Sequence, residues 1–149
     1  MDPMQKITPC LWFNGNAETA VNFYVSVFKD ARIISSYPGP NNQPLMIQFV
    51  LAGTPYLALN GGADFPFTEA ISLSVDCEDQ AEVDELWQKL TTDGGKEVEC
   101  GWLKDKFGLA WQIVPRRFTE LMKDPERAPR VMAALMTMVK IDIATLEQA

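Results

Sequence analysis

The stretch KDKFGLAWQIVP, residues 104–115, reads as a closing hairpin that sets one amide, Gln112, among apolar neighbours. A buried amide carries both a donor and an acceptor. It can bond neighbouring backbone, or it can orient a bound ligand through that pair, and both roles stay open for Gln112. Acid–base chemistry has little else to draw on, because the chain contains no histidine. Asp64, Glu69, Asp76 and Asp105 fall near predicted strand ends, but none pairs with another at a catalytic spacing. They are expected to be solvated turn residues or bonded to turn amides. The cysteines, Cys10, Cys77 and Cys100, show no CxxC spacing and are odd in number, which suits a reducing compartment. They are expected to be buried structural thiols. Cys100 as a nucleophile would need a lysine or carboxylate as its base.

Asn60-Gly61-Gly62 is the one glycine pair near a strand end that could approach a ligand. Ala63 and the sequence Phe65-Pro66-Phe67 follow it where a nucleotide-binding loop would open a helix. A gripping loop for S-adenosylmethionine is therefore not expected, and the loop offers a candidate lid. Trp102, beside Cys100-Gly101, is a candidate cover on the other side, or a ring packed into the core.

These side chains must be positioned by alternating strands and helices. Ile7–Phe13 has strand character, and Asn14-Gly15-Asn16 breaks it, offering Asn16 as a helix N-cap. Ala17, Ala20, Val21, Tyr24, Val27 and Phe28 then form one apolar stripe at helical spacing. A strand over Ala31–Tyr37 runs into PGPNNQP, whose prolines cannot continue a ladder. Leu45–Leu51 and Pro55–Leu59 are predicted strands hinged at Ala52-Gly53-Thr54. The order then repeats. Ala70–Val75 is a strand, Asp79 and Glu82 form a capping box ahead of the stripe Val83, Leu86, Trp87 and Leu90, and Gly94-Gly95 stops that helix. Lys96–Glu99, Trp102–Lys106 and Leu109–Val114 complete the second set, with Phe107-Gly108 as the last turn. Ile7 and Ile71, and Ala17-Glu18 and Ala81-Glu82, recur at an offset of 64 (71 − 7 and 81 − 17).

The fold class is thus α+β: two βαβββ modules whose curved mixed sheets form a cup, plus C-terminal helices. Module one spans about 5–62, module two about 68–115 and the helical extension about 116–149, within one domain over 4–149. At 149 residues the chain can bury such a core without disulfides or metal. A net charge of −7 argues against a nucleic-acid partner. No apolar run reaches the roughly 18 residues of a bilayer span, so no membrane partner is expected. MDPMQKITP has neither a basic leader nor an apolar stretch, and its first three residues read as an addition or alternative start; a cytoplasmic location is expected.

The order of elements, with NAETAVNFY opening the first helix, ISLSVDCEDQAEV leading into the second and KDKFGLAWQIV closing, resembles the vicinal oxygen chelate superfamily, the glyoxalase, bleomycin-resistance and extradiol dioxygenase group. CLWFNGNAETAVNFYVSVF, ALNGGADFPFTEAISLSV, CGWLKDKFGLAWQIVP and the tail RVMAALMTMVKIDIATLEQA are similar to its PhnB-like branch, whose members often carry the label 3-demethylubiquinone-9 3-methyltransferase. The resemblance covers residues 4–149.

In metal-dependent members of that superfamily four inward side chains hold one divalent ion. The resemblance carries those positions onto Pro9, about Leu57, Ala70 and Gln112. Only Gln112 has a side-chain oxygen, and one neutral amide does not replace imidazole, thiolate or carboxylate ligands, so no metal and no cofactor are expected. Alternation places Ala110 and Val114 inward with Gln112, Trp111 and Ile113 toward the helix, Leu11 and Phe13 inward with Pro9, and Ser72 and Ser74 inward with Ala70. The expected ligand-binding set is Gln112, Ser72, Phe13, Asn60, Trp102 and Phe67, lining a mostly apolar cleft for a small molecule. For the serines, the reading as structurally bonded hydroxyls comes ahead of ligand contact.

Beyond the modules, Phe118, Leu121 and Met122 make a short apolar patch, Asp124-Pro125 reads as a helix start, and Val131, Met132, Leu135, Met136 and Val139 form a methionine-rich stripe. Asp142 starts a final turn that buries Ile143 and Leu146. The stripe covers either the domain itself or a second subunit, and the resemblance implies a homodimer. Three function classes follow: a protein that binds or sequesters a small hydrophobic or aromatic molecule in a metal-free cleft, as bleomycin-resistance members hold their drugs; an enzyme on a small metabolite, either a methyltransferase as the label says or a lyase or isomerase; and a dimer with a vestigial pocket.

Overall fold

The computed structural model describes residues 5–149. The reading of the first three residues, and the start of the domain at residue 4, lie outside the described residues. The chain divides after Pro66 into two compact units.

In the first unit the strands are β1 (Cys10–Phe13), β2 (Arg32–Pro38), β3 (Pro44–Leu51) and β4 (Thr54–Asn60), with helix α1 (Ala17–Val27) between β1 and β2. The sheet order is β1-β4-β3-β2, with β1 parallel to β4 and the other neighbours antiparallel. β1 is shorter than expected. Pro9 has no N–H to give the ladder, although its carbonyl still accepts from Leu57 N at 2.9 Å, and Ile7 lies outside the strand, 85% exposed. The α1 stripe is buried at Ala17, Ala20, Val21, Tyr24 and Val27. Asn16 is the N-cap residue but makes no side-chain cap; Ala17 N donates instead to Asn60 Oδ1, at 3.0 Å, from the end of β4. PGPNNQP ends β2 and holds a single 3-10 turn, with Asn41 and Asn42 both left-handed. Ala52 and Gly53, at φ 48° and 81°, make the two-residue turn whose twist matches the β3–β4 hairpin.

The second unit repeats this plan with β5 (Ser72–Cys77), α2 (Gln80–Thr91), β6 (Lys96–Glu97), β7 (Trp102–Lys104) and β8 (Ala110–Pro115). Its order is β5-β8-β7-β6, and β5 runs parallel to β8. Strands β1 and β5, and helices α1 and α2, end 64 residues apart (77 − 13 and 91 − 27). Ile7 and Ile71 do not begin their strands, since both lie just outside them and are exposed, but the offset itself holds. The capping box forms: Asp79 Oδ1 accepts from Glu82 N at 2.9 Å, and Glu82 Oε1 reaches back to Glu78 N at 2.7 Å, one residue before the cap. β6 stops two residues early because the backbone N–H groups of Cys100 and Gly101 donate to Met138 and Val139 of the C-terminal tail, each at 2.8 Å.

That tail belongs to the second unit. Helices α3 (Arg116–Met122), α4 (Ala128–Leu135) and α5 (Ile143–Gln148) gather Leu121, Val131, Leu135, Met138, Ile141 and Leu146 into their own core, against which Cys100 and Phe118 pack. Gln80 of α2 ties the tail down, giving Nε2–H to Ile141 O (3.0 Å) and receiving Ile143 N–H at Oε1 (2.8 Å). The methionine stripe splits. Val131 and Leu135 are buried in this core, while Met132, Met136 and Val139 are exposed. Asp124 does not cap α4, which begins four residues later; its carboxylate accepts from Glu126 N and closes a turn. None of the helices among the described residues is long and apolar enough to cross a membrane.

Candidate functional site

The phase of β8 is the one expected. Trp111 and Ile113 are buried on the side that α2 packs against, and Ala110, Gln112 and Val114 take the other face. Register then builds a row across the sheet: Gln112 stands opposite Ser74 in β5 and opposite Trp102 in β7. Gln112 is half-buried and donates from Nε2 to Ser72 Oγ at 2.9 Å, so its partner is a neighbouring hydroxyl and not backbone. Of the six expected ligand-binding residues, Gln112, Ser72 and Trp102 therefore share one face of the second unit.

Phe13 and Asn60 do not share an open face. Phe13 pairs with Asn60 and Leu11 with Ala58, so these side chains point the same way, and Asn60 on that side caps α1. Leu11 and Phe13 are buried on the helix-covered side, and their expected inward direction is reversed. All four residues of CLWF are apolar, so alternation within it carries no phase. The face that α1 leaves uncovered holds Cys10, Trp12, Met46, Gln48, Leu57 and Leu59. Asn60 is engaged twice in holding the unit together, through Ala17 N and through Pro44 O, to which its Nδ2 donates at 2.8 Å. Phe67, half-buried, opens the second unit.

Trp12 is the residue that sequence reasoning missed. Its indole N–H donates to Ala63 O at 2.8 Å, its ring lies 4.8 Å from that of Phe65, and a Cβ on Gly61 would fall 1.8 Å from it. The candidate lid loop is thus fastened to the sheet, and Gly61 is glycine because the indole occupies the space a side chain would need. A tryptophan in the first strand and a glycine after the last strand of the same module were the legible signal.

The carboxylates separate by environment. Glu69 pairs with Lys104, whose hydrogen bond holds the Glu69 carboxyl below its usual range, and Asp76 pairs with Arg116 at 3.1 Å. Asp64 is exposed. Asp105 takes the second of the two expected environments, bonded to turn amides, but is buried as well: it is 3% exposed, the one buried charged side chain among the described residues. Its Oδ1 accepts from Phe107 N and Leu109 N at 2.8 and 3.1 Å, and its Oδ2 accepts from Trp111 Nε1 at 2.9 Å. This network fixes the turn that sets the phase of Gln112. The thiols are corrected: only Cys77 is buried, with Cys10 exposed and Cys100 half-buried. Burial, helped by nearby Glu82, Asp76 and Asp79, pushes the Cys77 thiol up to about 12.

A divalent metal does not fit the donors around Gln112. Its sheet neighbours Ser72, Ser74 and Trp102 are neutral, and among the described residues no three His, Cys, Asp or Glu side chains gather closely enough to hold an ion. Cavities among the described residues lie elsewhere. Two in the first unit, of about 390 and 200 Å³, border the PGPNNQP loop, and Asn60 lines the smaller. One of about 510 Å³ in the second unit lies among the starts of α2, α3 and α5.

The paired βαβββ topology defines a class, the glyoxalase and bleomycin-resistance fold. A glyoxalase/bleomycin resistance protein from Albidiferax ferrireducens superposes with TM-score 0.53 at 12% identity, over 73% of this chain and 96% of its own. The fosfomycin resistance protein FosX of Listeria monocytogenes, in complex with Mn(II) and 1S,2S-dihydroxypropylphosphonic acid, does so with TM-score 0.54 at 16% identity, over 74% and 93%. Within that class the match narrows. A PhnB protein from Bacillus cereus, whose description carries a 3-demethylubiquinone-9 3-methyltransferase name, is 33% identical over 74% of this chain and 99% of its own, with TM-score 0.69. The family described as 3-demethylubiquinone-9 3-methyltransferase matches residues 5–114. The chain belongs to this PhnB-like family. No curated protein matches.

Proposed function

We propose that this protein binds a small, predominantly apolar or aromatic molecule on the sheet faces that α1 and α2 leave uncovered, without recruiting a metal ion. One observation carries the reading: the position that the resemblance gives to a metal ligand holds Gln112, and Gln112 stands among Ser72, Ser74 and Trp102, where every donor is neutral. A mostly apolar surface with a few fixed polar groups is the usual make-up of a small-molecule site. FosX, bound to Mn(II) and a phosphonic acid, is the contrasting member of the fold.

The family description favours a second reading, an enzyme acting on a small metabolite by methyl transfer, or as a lyase or isomerase. Against methyl transfer, Asn60-Gly61-Gly62 runs into the loop held by Trp12 and not into a helix that could present its N-terminus to a cofactor. A homodimer belongs to the same proposal, and the exposed Met132, Met136 and Val139 support it.

The test is a thermal-shift screen of metabolites with EDTA, with Mn(II) or Zn(II), and with S-adenosylmethionine. A specific ligand raises the midpoint by mass action. Stabilisation by aromatic or aliphatic small molecules is expected to be unchanged by EDTA. Ligand stabilisation that EDTA abolishes and metal restores would sink the binding reading, and a shift with S-adenosylmethionine would favour the enzyme.

A further inference from the structure

The open face of the second unit has a specific hydrogen-bonding grammar. Gln112 spends one Nε2 hydrogen on Ser72 Oγ. That leaves its second N–H and the whole of Oε1 without a partner, on a side chain whose amide is restrained by that bond. Trp102, directly across the β7–β8 pair, keeps its indole N–H unbonded, and Ser74, directly across the β5–β8 pair, keeps its hydroxyl unbonded. Side chains paired in this way stand about 5 Å apart, close enough to touch one bound ring together. Beside Gln112 the charges are paired, Lys104 with Glu69 and Asp76 with Arg116; the unpaired cation of this face, Lys96, stands one strand further out, in register with Lys104 at the sheet edge. No lone cation or anion among the neighbours of Gln112 calls for an ionic ligand.

We infer that this face, if it is the binding surface proposed above, selects an uncharged planar ring carrying a lactam on its rim, an N–H beside a C=O. With the Nε2 hydrogen anti to Oε1 given to Ser72, the ring N–H donates to Gln112 Oε1, the ring carbonyl accepts from the Nε2–H syn to it, and Trp102 supplies the flat apolar wall. The two amide bonds are coplanar, so the ligand must be flat where it meets Gln112. A site built around a donor–acceptor pair rejects analogues that lack either half, because its own groups are then left unpaired.

The experiment titrates the full chain by calorimetry with three probes of nearly equal shape: 2-quinolone, N-methyl-2-quinolone and naphthalene. 2-Quinolone is expected to bind about tenfold or more tighter than its N-methyl derivative. Gln112→Leu is expected to bring all three probes within about twofold of each other, and Trp102→Leu to weaken all three alike. Ser72→Ala, which removes only the restraint on the amide, is expected to reduce the discrimination, and it serves where Gln112→Leu fails to fold. Equal affinity for 2-quinolone and its N-methyl derivative in the native protein overturns the inference, as does a preference that survives Gln112→Leu. If naphthalene binds natively but no preference exists, the inference fails while the proposed function stands. If no probe binds, the inference fails, and the proposed function stands or falls on its own thermal-shift screen.

Discussion

The two units build the same five elements in the same order and then hold them by opposite means. In the first, β3 and β4 are joined by the two-residue turn Ala52-Gly53, which needs only left-handed backbone angles, and α1 is capped from afar by Asn60. In the second, β7 and β8 are joined by a longer turn organised around a buried carboxylate, Asp105, and α2 is capped by its own Asp79 and Glu82. The open faces differ in degree: one holds Cys10, Trp12, Met46, Leu57 and Leu59 with the single amide Gln48, bonded to Ser35, and the other holds Ser72, Ser74, Gln112 and Lys104 with Trp102, Ala110 and Val114. Topology therefore constrains neither where the polar groups go nor which residues hold a turn. The more polar face belongs to the unit whose hairpin is fixed by side-chain bonds.

That difference is broken most sharply at Asp105. Asp105→Ala removes a buried acceptor and strands two backbone N–H groups and the Trp111 indole. Charged hydrogen bonds and orphaned buried donors make this a loss of about 3 kcal/mol. Urea unfolding should show the midpoint fall without a change in slope. A loss under about 1 kcal/mol would mean that the second hairpin, like the first, is set by backbone geometry alone.

A smaller effect compares the caps. Asp79→Ala should cost about 1 kcal/mol, the usual value of an N-cap. Asn60→Ala should cost more, about 2 kcal/mol, because it removes both the bond to Ala17 N and the bond to Pro44 O and so loosens α1 and β3 together. Equal losses in thermal or urea unfolding would show that the remote cap is no more than a local one placed on another strand.

The fold was legible because its signals are local and redundant: helical stripes, a capping box, and glycine or proline at each turn. The face of each side chain was legible only where the strand carried a polar marker. Gln112 between Trp111 and Ile113 fixed β8 correctly. CLWF, apolar throughout, left β1 without a phase, and Phe13 was assigned to the wrong side. Asp105 was hidden for a related reason. A carboxylate before Phe107-Gly108 reads as solvated or as bonded to turn amides, and its bonds to Phe107 N and Leu109 N fit the second, but only three-dimensional closure brings Trp111 back over it and buries it. The placement of Asn60 depends on a partner 43 residues away in sequence, where neither spacing nor composition reaches; for Trp12, whose partner is 51 residues away, the pairing of a first-strand tryptophan with Gly61 was the one local trace.

The smallest effect concerns charge on the open face of the second unit. The hydrogen bond from Lys104 lowers the Glu69 carboxyl below its ordinary 4.5, so the folded state holds this proton less tightly than the unfolded chain does. The contribution is therefore present above the unfolded value and is lost as pH falls through the folded one. Glu69 is exposed and Lys104 half-buried, and salt screens such a pair. Glu69→Gln should be slightly less stable than the native chain at pH 7 in low salt. The gap should narrow as the pH falls below 4.5 and close once the folded carboxyl is protonated, and it should also close in 1 M salt at pH 7, when unfolding midpoints are compared pairwise. A gap that persists in acid or in salt would mean that Glu69 supports this face by packing and not by charge. The cancellation of charge around Gln112 would then have to come from Lys104 being neutralised by another group.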